Sequence, residues 1–408
     1  MARLWPGYAG AGYLLLAQLV TFNVVLQAWP VGFARLQDEG GAPGLRMLAV
    51  VGVGVIAVAL LTVGLTRLQR WQVAGLAAWV VAPALSTLFL GSLRDGRFWT
   101  VALASTAVGF AGVLAPPDLL RKVLFGFGWF FGWGSVAVAV SQLAFGAPTV
   151  LIGGDARYGR WLSAVGLPVK DVSALNGLAP GRVFLAMNCG LLLVFVVRHL
   201  LARRAGWRSW IMPVGLLCAL AWSFGRVGFF AVGLGLLAAC VPWERWRTGW
   251  AFVAGLAAFT GPLLVSGAVT LGHGTTQWRF DLWHKYLSAP GVWGPFGIGP
   301  QAPPDPIRGH AHNQLLETLA SGGWIGVAGL LSFLYLGFVA AGRAADNRAT
   351  YGVLFAICAM FASDVLTFAP TFTVLNSAFV IAVAVIVNAG SSPAHDRLLR
   401  ETPDGAHV

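Results

Sequence analysis

Apolar residues run through this chain in long blocks, and polar residues gather in the breaks between them. Uncharged stretches of about 20 residues recur, the length a helix needs to cross a bilayer. A half-buried strand would alternate apolar and polar positions instead, so the continuous runs predict helices. Twelve spans are expected, over residues 8–31, 47–66, 72–92, 98–115, 123–145, 183–200, 209–224, 227–242, 250–270, 323–342, 350–368 and 371–389. The fold class predicted is an all-α polytopic membrane protein, with a single transmembrane domain over 1–408. Two breaks are too long for tight turns, 146–182 and 271–322, and the second is expected to contain short interfacial helices. Residues 390–408 read as a short polar tail.

Composition supports the same class. The chain is 57% hydrophobic and 10% charged, with mean hydropathy +0.75, where a soluble domain carries about 25% charged residues. The net charge of +12 would suggest nucleic acid in a soluble protein. Here the basic residues sit in short loops beside apolar runs, so topology and lipid headgroups account for them and nucleic acid is not expected as a partner. With the N-terminus cytoplasmic, the inner loops carry Arg67, Arg70, Arg121, Lys122, Arg198, Arg203, Arg204, Arg208, Arg245, Arg247, Arg343 and Arg348. The inner side then holds net +9 and the outer side +3, which favours both termini inside and both long loops outside. The first apolar run is long enough to stay as a span rather than act as a cleaved leader. Cys189, Cys218, Cys240 and Cys358 all lie in apolar runs, without metal or redox spacing.

The candidate chemistry concentrates in the second long loop. Residues 275–287 have helical periodicity, with Trp278, Leu282, Tyr286, Trp283 and Leu287 predicted as one apolar stripe and Arg279 and Lys285 near the polar edge. Residues 294–300 form a Gly-Pro-Phe-Gly-Ile-Gly-Pro turn cluster, where Gly297 and Gly299 would let backbone approach a ligand or simply break a helix. The run His310-Ala311-His312-Asn313 precedes a helical pattern, with Asn313 or His312 as the N-cap and Glu317 on the Asn313 face. Such a helix start offers an anion site, and a histidine there exchanges protons near neutral pH. The plainer reading of His310 is a solvent-facing loop residue. His310, His312 and Glu317 do not match a known helical zinc spacing, so no metal is expected.

Two residues outside the loop stand out. Arg226 is a lone cation between two apolar spans, either snorkelling to the interface or binding an anion through its fork. Asp364 lies within an apolar span, where a carboxylate is costly and a functional candidate. Hydration near the outer surface and pairing with an arginine such as Arg226 both fit it.

The segment GHAHNQLLETLASGGWIGVAGLL resembles the O-antigen ligase and polymerase superfamily, bacterial polytopic membrane glycosyltransferases. The likeness covers residues 223–330: the Ser223 to Arg226 element, Arg279, the turn from Pro295 to Gly299, His310 to Glu317, and Gly323 with Gly326. In the first outer loop, Arg157 or Arg160, Gly166 and Asn176 match a family pattern loosely.

The resemblance implies an inverting glycosyltransferase in the inner membrane, with its site facing the periplasm. An undecaprenyl-diphosphate-linked glycan would be the donor, and lipid A core, acting as acceptor in an O-antigen ligase, the first expectation. Arg279 and Arg226 would hold the diphosphate in place of a metal, so no cofactor is implied. His312 would take the acceptor proton. Asn313, Glu317, His310, Arg157, Arg160, Gly297 and Gly299 would contribute to substrate binding. The alternatives are a polysaccharide polymerase and, in another class, a twelve-span transporter or flippase, although no internal repeat of the transporter kind is visible.

Overall fold

A computed structural model describes residues 6–20, 23, 111–112, 115–145, 177–179, 181–243, 248–266, 275–299, 311–344, 347–364 and 376–390. The expected spans 47–66 and 72–92, nearly all of 98–115, the loop residues Arg157, Arg160, Gly166, Asn176 and His310, and the tail after 390 lie outside them. Among the described residues 86% are helical and there is no strand.

The α-helices are α1 (Pro6–Val20), α2 (Pro117–Phe145), α3 (Arg182–Ala202), α4 (Ile211–Ser223), α5 (Arg226–Cys240), α6 (Thr248–Ser266), α7 (Thr275–Ser288), α8 (Gln314–Arg343), α9 (Asn347–Ser363) and α10 (Ser377–Gly390). Among the described residues, α3, α6, α8 and the segment Pro117–Ser141 are long and apolar enough to cross a membrane. Shorter apolar helices run over Gly10–Val20, Arg226–Cys240 and Ser377–Asn388.

Helices apolar on all sides belong in the interior of a bundle, and α9 follows that rule. Its residues from Ala349 to Ala362 are all buried. On one side α9 meets α5 where Gly235 and Gly352 abut, so that a Cβ on either would come 2.9 Å from the other's carbonyl oxygen. Two turns earlier on the same face of α5, Gly228 meets Gly190 of α3. Small residues at both crossings let three backbones approach closely, which is how helices gain packing energy without a hydrophobic driving force.

A closed polar ring ties distant parts of the chain into this core. Asn188 Nδ2 donates to Asn23 Oδ1 at 3.0 Å, Asn23 Nδ2 donates to Ser377 Oγ at 2.9 Å, and Ser377 Oγ donates to Asn188 Oδ1 at 2.8 Å. The spare amide hydrogens go to Leu19 O and Phe184 O. All three residues are fully buried, and each donor and acceptor role they offer is used within the ring or on local backbone.

The main departure from the sequence reading is α8. The expected span 323–342 begins nine residues earlier, at Gln314, and is broken at Gly323 (φ 58°, ψ −154°). The cause is the turn at residues 294–299, which lies against the break. Trp324 and Ile325 donate their N–H groups to Gly294 O and Pro295 O, while Ile298 and Gly299 donate to Ala320 O. The turn thus supplies partners to the chain on both sides of the break, where a helix would otherwise leave groups unsatisfied. Gly323 and Gly297 both hold positive φ, and a Cβ on Gly323 would strike Gly294 O, Gly297 N and Pro295 C. Only glycine fits this splice.

Candidate active site

The site is built where three chain segments meet: the C-terminal end of α9, the buried face of α7, and the turn that opens α8. Helix ends leave carbonyls without intrahelical donors, and α9 gives three successive residues to the site. Ala362 O accepts from Asn313 Nδ2 at 3.2 Å. Ser363 O accepts from Arg279 Nη1 at 2.7 Å. Asp364 Oδ1 stands 3.4 Å from His312 Nδ1.

Arg279 reaches Ser363 because of its register on α7. The sequence placed it at the polar edge, with Trp278 in the apolar stripe. The structure buries Leu282, Trp283 and Tyr286 of that stripe and half-buries Leu287, but it leaves Trp278 exposed, buries Phe280 in addition and half-buries Arg279. The reason lies in the cluster these side chains join, with Ala311, Leu316, Leu319 and Ala320 from the α8 turn. Tertiary packing, rather than helix amphipathicity alone, sets the angle of α7. Lys285 and His284 are exposed, and His284 Nε2 lies 3.3 Å from Ser266 O.

Burial pushes the Arg279 guanidinium below its ordinary range, the nearby Asp364 carboxylate opposes that, and the Arg226 charge adds to it. The two candidate arginines therefore share one electrostatic site. Arg226 is exposed at the first position of α5. The turn before it is held by Ser223, which donates to Leu220 O at 2.6 Å and accepts from Gly225 N at 3.0 Å. Phe224 there adopts a left-handed conformation.

His312 is fixed from both sides. The N-cap is Asn313, whose Oδ1 accepts from Leu315 N and Leu316 N at 3.0 and 3.2 Å. On the other side, Ala311 N donates to Glu317 Oε2 at 2.9 Å, and Trp283 Nε1 donates to Ala311 O at 2.7 Å. Between these clamps His312 holds φ +49°, a costly conformation that persists only where its surroundings impose it. Glu317 is buried, and burial, reinforced by the Glu317 carboxylate, raises the Tyr286 phenol well above its ordinary range.

The structure thus brings together His312, Arg279, Arg226, Asn313 and Glu317. It gives Asn313 and Glu317 backbone partners that shape the His312 turn. It places Gly297 and Gly299 in the α8 splice, with both N–H groups engaged by backbone carbonyls. Asp364 resolves to a buried position facing His312 and near Arg279. What sequence reasoning missed is its histidine partner; the signal available was a carboxylate close to the outer end of a span. Among the described residues, no group of three or more His, Cys, Asp or Glu side chains could hold a metal ion.

Comparison of the chain with family models, curated proteins and solved structures finds no match.

Proposed function

We propose that the chain is a glycosyltransferase that moves a glycan from undecaprenyl diphosphate to an acceptor hydroxyl at the outer face of the inner membrane. The observation that carries this reading is the His312–Asp364 contact beside two arginines that share one field. A base and a diphosphate clamp are the two tools such a transfer requires.

On this reading the residues divide the work as follows. Asp364 faces Nδ1 of His312, which leaves Nε2 to receive a proton. The acceptor oxygen attacks the anomeric carbon and forms the new C–O bond as its proton passes to Nε2. The bond from the anomeric carbon to the diphosphate oxygen breaks, and undecaprenyl diphosphate leaves with the electron pair. Arg279, preset by its bond to Ser363 O, and Arg226 neutralise that charge as it develops, so the step needs no metal. A single displacement inverts the anomeric centre.

Within this reading the chain has twelve spans with both termini inside, supported by the charge asymmetry of its loops. The acceptor we favour is lipid A core. A deletion strain that accumulates lipid-linked polymer and bare acceptor supports a ligase, whereas single repeat units on the acceptor indicate a polymerase.

The direct test is transfer from an undecaprenyl-diphosphate glycan by purified wild type and His312→Ala, with and without EDTA. Wild-type activity that survives EDTA and vanishes in the variant supports the proposal. Loss on chelation points to a metal enzyme, and full activity in the variant removes His312 from the chemistry.

A further inference from the structure

Trp278 is the large aromatic residue of α7 that the fold leaves uncovered. It is 51% exposed, whereas Phe280, Trp283 and Tyr286 on the same helix are buried. Its position is specific in two respects. It directly precedes Arg279, and its ring meets that of His312 edge-on, with centroids 5.7 Å apart and planes at 66°. Trp293 and Trp324 are equally exposed but face each other at 5.5 Å beside the α8 break, and Trp293 Nε1 is tied to Leu287 O at 2.7 Å. That pair fits an aromatic belt at a membrane boundary. Trp278 instead touches the proposed base, His312, one residue before the proposed diphosphate clamp, Arg279, on α7.

Between a diphosphate held by Arg279 and an acceptor oxygen beside His312 lies the sugar ring that carries the anomeric carbon. Pyranose rings present C–H hydrogens on one face, and the π face of an indole is the negative end of its quadrupole. Binding sites are lined mainly by apolar and aromatic walls with a few polar groups to fix orientation. We propose that Trp278 is the stacking wall for the transferred sugar, giving the site affinity for the glycan itself in addition to the lipid diphosphate. This inference rests on the glycan-transfer reading above.

The test compares binding of two probes to full-length protein in detergent: undecaprenyl diphosphate bearing an oligosaccharide, and bare undecaprenyl diphosphate. Wild type is expected to prefer the glycan-bearing lipid. Trp278→Ala should weaken that probe about tenfold and leave the bare lipid unchanged, and Trp278→Phe should restore most of the loss. Unchanged bare-lipid binding also shows that the variant is folded. Equal weakening of both probes would assign Trp278 to the lipid or to support of Arg279, and would overturn the proposal. No effect on either probe would overturn it as well, while leaving the donor reading intact. Failure of wild type to bind either lipid would remove the donor reading and this inference together. Trp324→Ala should bind both probes as wild type does; selective loss of the glycan probe there would move the sugar wall from Trp278 to the α8 break.

Discussion

His312 Nδ1 lies 3.4 Å from Asp364 Oδ1, across a junction between the turn that opens α8 and the last residue described at the end of α9. The two are more than fifty positions apart in sequence, and neither helix alone would bring them together. Their approach is secured by Asn313, which caps α8 while donating to Ala362 O two residues before Asp364. In the proposed transfer, a carboxylate this close to Nδ1 stabilises the imidazolium that forms when Nε2 takes a proton. Asp364→Asn should therefore lower kcat by about 10²- to 10⁴-fold while KM for the donor changes little. Steady-state transfer rates measured on folded, membrane-inserted protein check this; a kcat within twofold of wild type would separate Asp364 from the chemistry.

Arg279 carries a second, separable expectation. Its guanidinium spends one donor on Ser363 O and keeps the rest of its planar fork for an anion, a division that the compact ammonium of lysine does not reproduce. Arg279→Lys should lose roughly 10- to 100-fold in kcat/KM, about the range of one charge-assisted hydrogen bond at about 1.5–3 kcal/mol. Arg226→Lys should lose less, because Arg226 is exposed and has room to adjust. Kinetics of the two variants side by side give the comparison, and a greater loss at Arg226 would reverse the assigned order.

How much of this was legible in sequence depends on which force decides each residue. The helices were legible because long apolar runs have one low-energy form in lipid. Expected spans such as 209–224 and 227–242 fall within a few residues of α4 and α5. Arg279, His312, Asn313 and Glu317 were legible as a cluster because they crowd one polar segment. The exposure of Trp278 was not: Trp278 and Trp283 are both indoles, and packing against Ala311, Leu316, Leu319 and Ala320 across the gap decides which is buried. The Asp364 partner was hidden for a related reason, since pairing between distant segments is set by helix packing. The α8 break was hidden because Gly322-Gly323 sits inside a favourable apolar pattern, and the turn that stabilises the break lies more than twenty residues upstream.

Tyr286 predicts a pH effect with a defined sign. Its phenol is raised in the folded state from an ordinary value of 10.0, first by burial and then by Glu317. A folded pKa above the unfolded one means the folded state keeps its proton while the unfolded chain releases it. Stability from this group is then complete below pH 10 and is lost as pH rises beyond it. Thermal unfolding in detergent between pH 8 and 11 should fall less steeply above pH 10 in Tyr286→Phe than in wild type. Equal slopes would show that the phenol does not contribute to alkaline unfolding.

Gly323→Ala tests the splice in α8. The new Cβ would meet three backbone atoms of the turn at residues 294–299, none of them at the end of a flexible side chain, and the residue would also hold φ 58° with ψ −154°. Backbone strain of this kind costs about 1–3 kcal/mol before any clash. The variant should unfold at lower temperature and lose transfer activity, since the turn also bonds Ala320 O in the helical segment that His312 precedes. Gly326→Ala, whose Cβ would sit 3.0 Å from Thr318 O, should be milder. Fluorescence-detected thermal unfolding ranks the two, and an unaffected Gly323→Ala would mean that the turn does not depend on this contact.

The ring of Asn23, Asn188 and Ser377 gives the last prediction, and it concerns architecture rather than chemistry. Each member donates to one neighbour and accepts from another, so removing one side chain leaves two buried partners without theirs. Asn188→Ala strands Asn23 Oδ1 and the Ser377 hydroxyl at once and should cost about 1–3 kcal/mol per stranded group. Ser377→Ala strands the Asn23 amide and Asn188 Oδ1. The double variant should cost less than the sum of the two, because the Asn188–Ser377 bond is already lost in either single variant. Strict additivity in thermal or denaturant unfolding would show that the three residues act as separate local caps rather than as one ring. Since the ring joins the chain around residue 23 to α3 and to the start of α10, its loss should loosen the approach of α10 before it reaches the His312 site. Activity should therefore survive in Asn188→Ala at temperatures where the protein remains folded.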